Sequence, residues 1–290
     1  MKIWERKNNT YVVEEETAQK GAEFLYNTVV GRVFLKFIFA SRWFSNSLAI
    51  YQRSKMSKRK IKSFIQKYNI NMEMYDEPES YKSFRDFFIR KRNVENDIAK
   101  ECMKKEKLLA IADSKLQVVF LDEKSVLKIK KSTYDLKDLL QDDKLSKKYK
   151  NGVCLIYRLS LHDYHRYHFL DNGELISSKY IKGKLHTVRP ISEKYNVYSK
   201  NSRVVSVLQT ENFGEVIQIE VGAMLVGKMV NHECKTFSKM QEKGFFDFGG
   251  STIVQIFEKN SIKIDADILQ KNKEDTEVKV EIGMKIGEKA

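Results

Sequence analysis

Cysteine is scarce: Cys102, Cys154 and Cys234 are the only three, and they stand far apart. No CxxC pair exists, so neither a disulfide framework nor a cysteine-type zinc site is expected, and the thiols read as reduced in a cytosolic compartment. The opening residues MKIWERKNNTYVVEEE lack the apolar core of a secretory signal peptide, which places the protein on the cytoplasmic side. Long apolar runs are missing too. The strongest candidate, VVGRVFLKFIFASRWF at 29–44, is interrupted by Arg32, Lys36 and Arg42, which are costly in hydrocarbon. There is no internal repeat, no low-complexity tract and no RNA- or DNA-binding motif, so nucleic acid is not an expected partner.

What is abundant is positive charge. With 53 basic and 39 acidic residues the net charge is +14, which predicts attraction to a polyanionic surface. The 29–44 segment gives that charge a place to act. Arg32 and Lys36 are four apart and stack on one side of a helix, while Phe34, Phe37, Ile38, Trp43 and Phe44 supply apolar surface. Such a helix suits a membrane interface, with cations at headgroups and aromatics at the acyl boundary. A helix packed on its own domain has the same pattern, and the net charge favours the membrane.

The chain divides by texture. Over residues 1–100 the pattern is helical: Ile61, Phe64, Ile65 and Tyr68 fall at helical spacing, as do Phe84, Phe87 and Phe88, with Ser80 or Ser83 available as a cap. Over 101–290 it is β-rich, with strands expected at 154–160, 174–181, 203–210, 215–230 and 251–259. Turn residues at 171–173 and 212–214 separate several of these, the first reading as a hairpin, and the lysine-rich stretch 142–152 reads as a solvated loop. The expected fold class is α+β: a helical amphipathic N-terminal region followed by a β-rich catalytic domain.

Two constellations carry chemistry. His162, His165 and His168 recur every three residues in LHDYHRYHFLDNG. On a helix that spacing lines one face and allows a metal site, but HxxHxxH is not a familiar zinc signature and no metal is expected. On a strand, residues three apart face opposite sides. The second constellation is KGFFDFGGSTIVQIFEK at 243–259, where two glycines precede Ser251. Gly-Gly-Ser is a common turn. It also leaves the Gly250–Ser251 bond unhindered, so Ser251 Oγ can attack the preceding carbonyl, exchange amide for ester and, after β-elimination, cut the chain. That reaction needs a base for the hydroxyl and a group to orient the base.

Several segments, taken in order, resemble the phosphatidylserine decarboxylase family of bacteria. They are the amphipathic region 26–61, YKSFRDFFIRKR at 81–92, IADSKL at 111–116, YRLSLHDYHRYHFLDNG at 157–173, KGKLHTVRPIS at 182–192, NSRVV at 201–205, IEVGAMLVGKM at 219–229 and FGGST at 248–252. The resemblance implies a proenzyme that cuts itself between Gly250 and Ser251 into a β chain (1–250) and an α chain (251–290). In this reading Asp113 orients His168 and His168 takes the Ser251 proton. Ser251 becomes a covalent pyruvoyl group, the only cofactor implied, which forms a Schiff base with the amine of phosphatidylserine. His165 acts in decarboxylation. The product is phosphatidylethanolamine, the expected location is the cytoplasmic face of the cell membrane as a peripheral protein, and a dimer of αβ protomers is implied. Ile111 and Ser114 replace the family's usual proline and glycine beside Asp113, and Gly249 replaces a larger apolar residue. Two alternatives are a pyruvoyl decarboxylase of a soluble amino acid and a non-catalytic basic protein that binds lipid or nucleic acid.

Overall fold

In the computed structural model, which describes residues 2–13, 28, 30–31, 47, 50–92, 104–123, 126–129, 132–183, 197–222, 228–249 and 251–290, the β-rich part is dominated by one large sheet. In chain order the strands begin with β1 (Lys2–Glu5), β2 (Thr10–Val13), β3 (Lys107–Leu109), β4 (Ser114–Phe120), β5 (Val126–Ile129) and β6 (Ser132–Asp135). They continue with β7 (Val153–Leu159), β8 (Arg166–His168), β9 (Gly173–Ile181), β10 (Arg203–Thr210), β11 (Glu215–Gly222) and β12 (Met229–Asn231). The last are β13 (Thr236–Phe237), β14 (Glu242–Phe246), β15 (Ser251–Phe257), β16 (Ile262–Ile264), β17 (Glu277–Val280) and β18 (Lys285–Lys289). Ten of them form the large sheet in the order β13-β9-β10-β11-β15-β7-β4-β17-β1-β2. Only the β1–β17 pairing in it is parallel.

β15 lies well inside this sheet, and its sequence says why. STIVQIF is buried at every position, as expected of a β-branched run covered on both faces. By contrast β9, close to the sheet edge, leaves Glu174 and residues 176–180 exposed. A separate three-stranded sheet has the order β12-β14-β8. The 212–214 turn closes the β10–β11 hairpin, with Gly214 at φ +72°. The 171–173 turn is not a hairpin: β8 pairs with β14, β9 pairs with β10 and β13, and the Asp171 carboxylate instead accepts from the Asn212 N–H at 2.7 Å. Nor is the lysine-rich stretch a loop throughout. Asp142 caps a short helix, Asp143–Lys148, by accepting from the Leu145 N–H, and Lys147 pairs with Asp143 one turn away.

Among the described residues of the N-terminal part, two helices stand at the segments with helical periodicity. α1 (Lys60–Tyr68) buries Ile61, and α2 (Phe84–Phe88) buries Phe84, Phe87 and Phe88, with Ser83 rather than Ser80 as its cap. These side chains, with Tyr81, make a separate apolar cluster against which Leu161 and Phe248 of the β-rich part pack. Residues 2–13 depart from the helical reading. Ile3 and Trp4 are buried, Asn9 turns at φ +49°, and β1 pairs with β17 near the C-terminus, so the chain's start belongs to the large sheet. Most of 29–44 lies outside the described residues. Among those described, no helix is long and apolar enough to cross a membrane.

Because β15 is paired on both edges, a chain stopped at residue 250 is expected to lose cooperative folding. Near-UV circular dichroism and thermal melting of that truncation against the full chain check this; a sharp melt from the truncation counts against it.

Candidate active site

Ser251 opens β15, opposite Gly222 of β11 and Leu159 of β7. It is fully buried, and neither its Oγ nor Thr252 Oγ1 has a hydrogen-bond partner among the described residues. An orphan hydroxyl in a dry site costs about 1–3 kcal/mol and calls for an explanation such as a reactive role. Alternation puts Ser251, Ile253 and Gln255 on one face. There Gln255 Nε2 donates to Gln218 Oε1 at 3.1 Å, and the Tyr157 hydroxyl donates to Gln255 Oε1 at 3.0 Å. Glu220, opposite Ile253, accepts from Gln218 Nε2 at 3.0 Å and accepts Lys243 Nζ on both oxygens at 2.9 Å. Lys243 belongs to β14, so this buried network ties the small sheet to the large one a step away from Ser251.

The other neighbour of β15 delivers the first histidine. β7 ends at Leu159, and the chain turns through 160–165. Asp163 fixes that turn: Oδ2 accepts the Ser160 N–H at 2.6 Å, and its two oxygens accept Lys115 Nζ at 2.9 and 2.7 Å. Burial alone would raise the Asp163 carboxyl, but the Lys115 charge, His162 and the Ser160 backbone hold it below the usual range. The Asp163 carbonyl accepts from His165 Nδ1 at 2.8 Å, which leaves Nε2 as the lone-pair nitrogen. His165 Nε2 is buried without a full hydrogen bond, although the Gly249 backbone is close enough to favour the protonated ring. The Phe88 ring covers the imidazole at 4.2 Å.

His168, the last residue of β8, occupies a different environment. Its backbone N–H donates to the Ile111 carbonyl at 3.1 Å, its strand partner is Glu242, and its Nδ1 has no described partner. Burial pushes both histidines down to about 4; Arg92 and Arg166 add to this at His168, and Glu242 opposes it. Both rings are therefore neutral at neutral pH and able to accept a proton. Asp113 lies two residues beyond Ile111. Its Oδ1 accepts the Ile282 N–H at 2.8 Å, and its Oδ2 is taken by Arg92.

The structure thus brings His165 to the segment before Ser251, and the segment bearing Asp113 to the backbone of His168. Among the described residues no hydrogen bond joins Asp113 to His168 or either histidine to Ser251 Oγ. Gly250 lies outside the described residues. No group of three or more potential metal ligands stands together among them either. The sequence placed Phe88 on a helix face without a part in the site, and it did not single out Arg92, the Lys115–Asp163 pair, the Lys243–Glu220 pair or Asp247. Only Asp247 had a local signal, a charge inside the apolar run FFDFGG.

A buried serine with an unpartnered hydroxyl at a strand start, and a buried imidazole, His165, beside the segment that precedes it, is an arrangement that allows base-assisted chemistry at a serine shielded from water. The sequence pattern of the phosphatidylserine decarboxylase family matches residues 84–288. The chain is 49% identical over 288 residues to a protein of Clostridium acetobutylicum, phosphatidylserine decarboxylase proenzyme 2, covering 99% of this chain and 98% of that one. Phosphatidylserine decarboxylase proenzymes of Clostridium tetani and Ruminiclostridium cellulolyticum are 40% and 39% identical over 295 and 293 residues, covering 100% and 99% of this chain and 98% and 97% of their own. The chain belongs to the phosphatidylserine decarboxylase family, a family of decarboxylases.

The depressed histidines make a pH prediction. Between about 6.5 and about 4 an unfolded histidine binds a proton that the buried rings refuse, so stability is complete above that window and falls as pH falls through it. Urea midpoints of Ser251→Ala should drop across this range. Adding His165→Gln and His168→Gln should flatten the profile; an equally steep fall in that triple variant overturns the assignment.

Proposed function

We propose that this protein decarboxylates phosphatidylserine to phosphatidylethanolamine at a pyruvoyl group made from its own Ser251. The observation that carries the reading is Ser251 itself: fully buried with an unpartnered hydroxyl, at the start of a central strand, beside the turn that holds His165. A group formed in place at that position needs no binding pocket of its own, only a fixed residue 251 and nearby proton acceptors, and the residues present fit it.

The chain's residues then have two tasks. In the first, His168, oriented by Asp113, accepts the proton of Ser251 Oγ. Oγ attacks the Gly250 carbonyl carbon, and a C–O ester bond replaces the C–N amide bond. Loss of the residue 251 α-proton then breaks the Cβ–Oγ bond, so residue 250 leaves as a carboxylate and dehydroalanine remains. Water enters and ammonia departs. The finished group supplies an electrophilic carbonyl that binds the substrate amine and takes up the electron pair as carbon dioxide leaves. In the second task His165 Nε2 takes up a proton from water and delivers it to the carbon that the carboxylate leaves. Neutral imidazoles suit the opening step of the first task, since a ring already protonated could not take the serine proton.

The anionic lipid substrate fits the charge of +14. Ile50 and Met56 are each 70% exposed, among the exposed cations Lys55, Lys58, Arg59 and Lys60, the arrangement of a surface that rests on anionic headgroups. The protein is accordingly peripheral, on the cytoplasmic face of the membrane, and works as paired α and β chains. A soluble amino acid would not need such a surface.

Intact mass under denaturing conditions should show residues 1–250 and a 40-residue piece whose first residue is pyruvoyl. Ser251→Ala should abolish both cutting and carbon dioxide release from phosphatidylserine vesicles, and free amino acids should release none with the native protein. His168→Ala should block cutting, whereas His165→Ala should be cut yet decarboxylate poorly. The reverse pattern would exchange the two histidine roles, and an active, uncut chain would sink the reading.

A further inference from the structure

The segment before Ser251 is held from outside its own sheet. Asp247 is 2% exposed, and its carboxylate accepts Arg53 Nη2 on Oδ2 at 2.7 Å and Arg85 Nε on Oδ1. Arg53 ends a helical turn over 50–53, and Arg85 lies in α2. These partners are 194 and 162 residues away in sequence. The backbone is fixed as well: the Phe246 N–H donates to the His165 carbonyl at 3.1 Å and the Asp247 N–H to the Lys228 carbonyl at 2.8 Å. The Phe248 ring then sits 6.0 Å from Phe84 and 5.0 Å from Phe88, the ring that also covers His165. Gly249 follows at φ +102°, where a side chain is strained.

We propose that Arg53 and Arg85, acting through Asp247, are positioning residues for self-cleavage, so that maturation depends on docking of the N-terminal helical segment. The inference rests on the reading that the chain cuts before Ser251. Attack by Oγ requires the carbonyl carbon within about 3–3.5 Å, and misplacement by about 1 Å can cost about a hundredfold in rate. Downstream, Ser251 is fixed by pairing on both edges of β15. Upstream, two glycines separate it from Phe248, so the anchor at Asp247 and Phe248 sets where the carbonyl can lie. Removing the arginines leaves a buried carboxylate without a counter-charge, which draws the segment toward water. All three residues belong to the 1–250 piece, so the clamp itself is not severed by the cut.

The test follows conversion of full-length chain to its two pieces on denaturing gels for Asp247→Asn, Arg85→Lys and the double variant Arg53→Gln/Arg85→Gln. Cutting should slow by about ten- to a hundredfold in Asp247→Asn and in the double variant, and Arg85→Lys should retain most of the rate. Decarboxylation per cut site, measured on the fraction that matures, should be unchanged. A merely structural role would lower both rates together. If the double variant does not fold, Asp247→Asn and Arg85→Lys decide the matter. A native chain that is cut, with variants cut equally fast or losing both activities in parallel, overturns the clamp alone. An uncut native chain overturns the self-cleavage reading and the clamp with it.

Discussion

The pairing of β15 with β11 and β7 is the constraint on which the site depends. Seven residues from Ser251 to Phe257 pair with β7 and six with β11, and every one is buried. A slip of one residue would turn Gln255 out of its network and send Ile256 to the face that Gln218 and Glu220 occupy. Ser251 therefore cannot drift. Gly222, its partner on β11, brings no side chain against it. That fixity is a property of the sheet.

Around this fixed point buried charges are compensated and the buried imidazoles are neutral. Glu220 is matched by Lys243, Asp163 by Lys115, and Glu242 by Arg166 at 2.6 Å. Each pair alone is a doubtful contributor to stability once desolvation is counted. Their common effect is to join elements: β14 to β11, the 160–165 turn to β4, and β8 to β14. With the charges thus occupied, burial sets His165 and His168 as uncharged rings at neutral pH. Asp113 is the exception to tidy bookkeeping, since Arg92 holds the carboxylate that the catalytic reading assigns to His168. Any role for Asp113 in orienting that ring has to compete with a guanidinium, which makes Arg92 part of the same electrostatic problem.

Much of this was legible in the sequence where a local pattern decides structure. Period-3.6 apolar residues gave α1 and α2, and β-branched runs gave β7, β9, β10, β11 and β15. The histidine block drew attention to His165, whose ring the fold sets near the Gly249 backbone. What stayed hidden was non-local. Nothing around 2–13 announces that its partner strand is Glu277–Val280. The 171–173 turn had hairpin residues, yet the pairing of β8 with β14 is decided elsewhere. The Asp142 cap lay inside a lysine-rich stretch whose composition pointed to a loop. For Asp247 the charge could be seen, but its two arginine partners are more than a hundred and fifty residues away.

The position of the proposed cut follows from the same geometry. A break before Ser251 falls between β14 and β15 and crosses no ladder. The 251–290 piece would leave β15 between β11 and β7, and β17 between β4 and β1, all from the other piece. Its release would require separating both inner strands at once, so continuity of the chain is not what keeps residue 251 in place. A strand interior could not serve this way, because cutting there would free a stub with half its pairing. A surface loop would survive cutting but could not hold the new terminus dry. The start of a central strand meets both requirements: the ladders on either side hold residue 251, and a cut before it crosses neither of them.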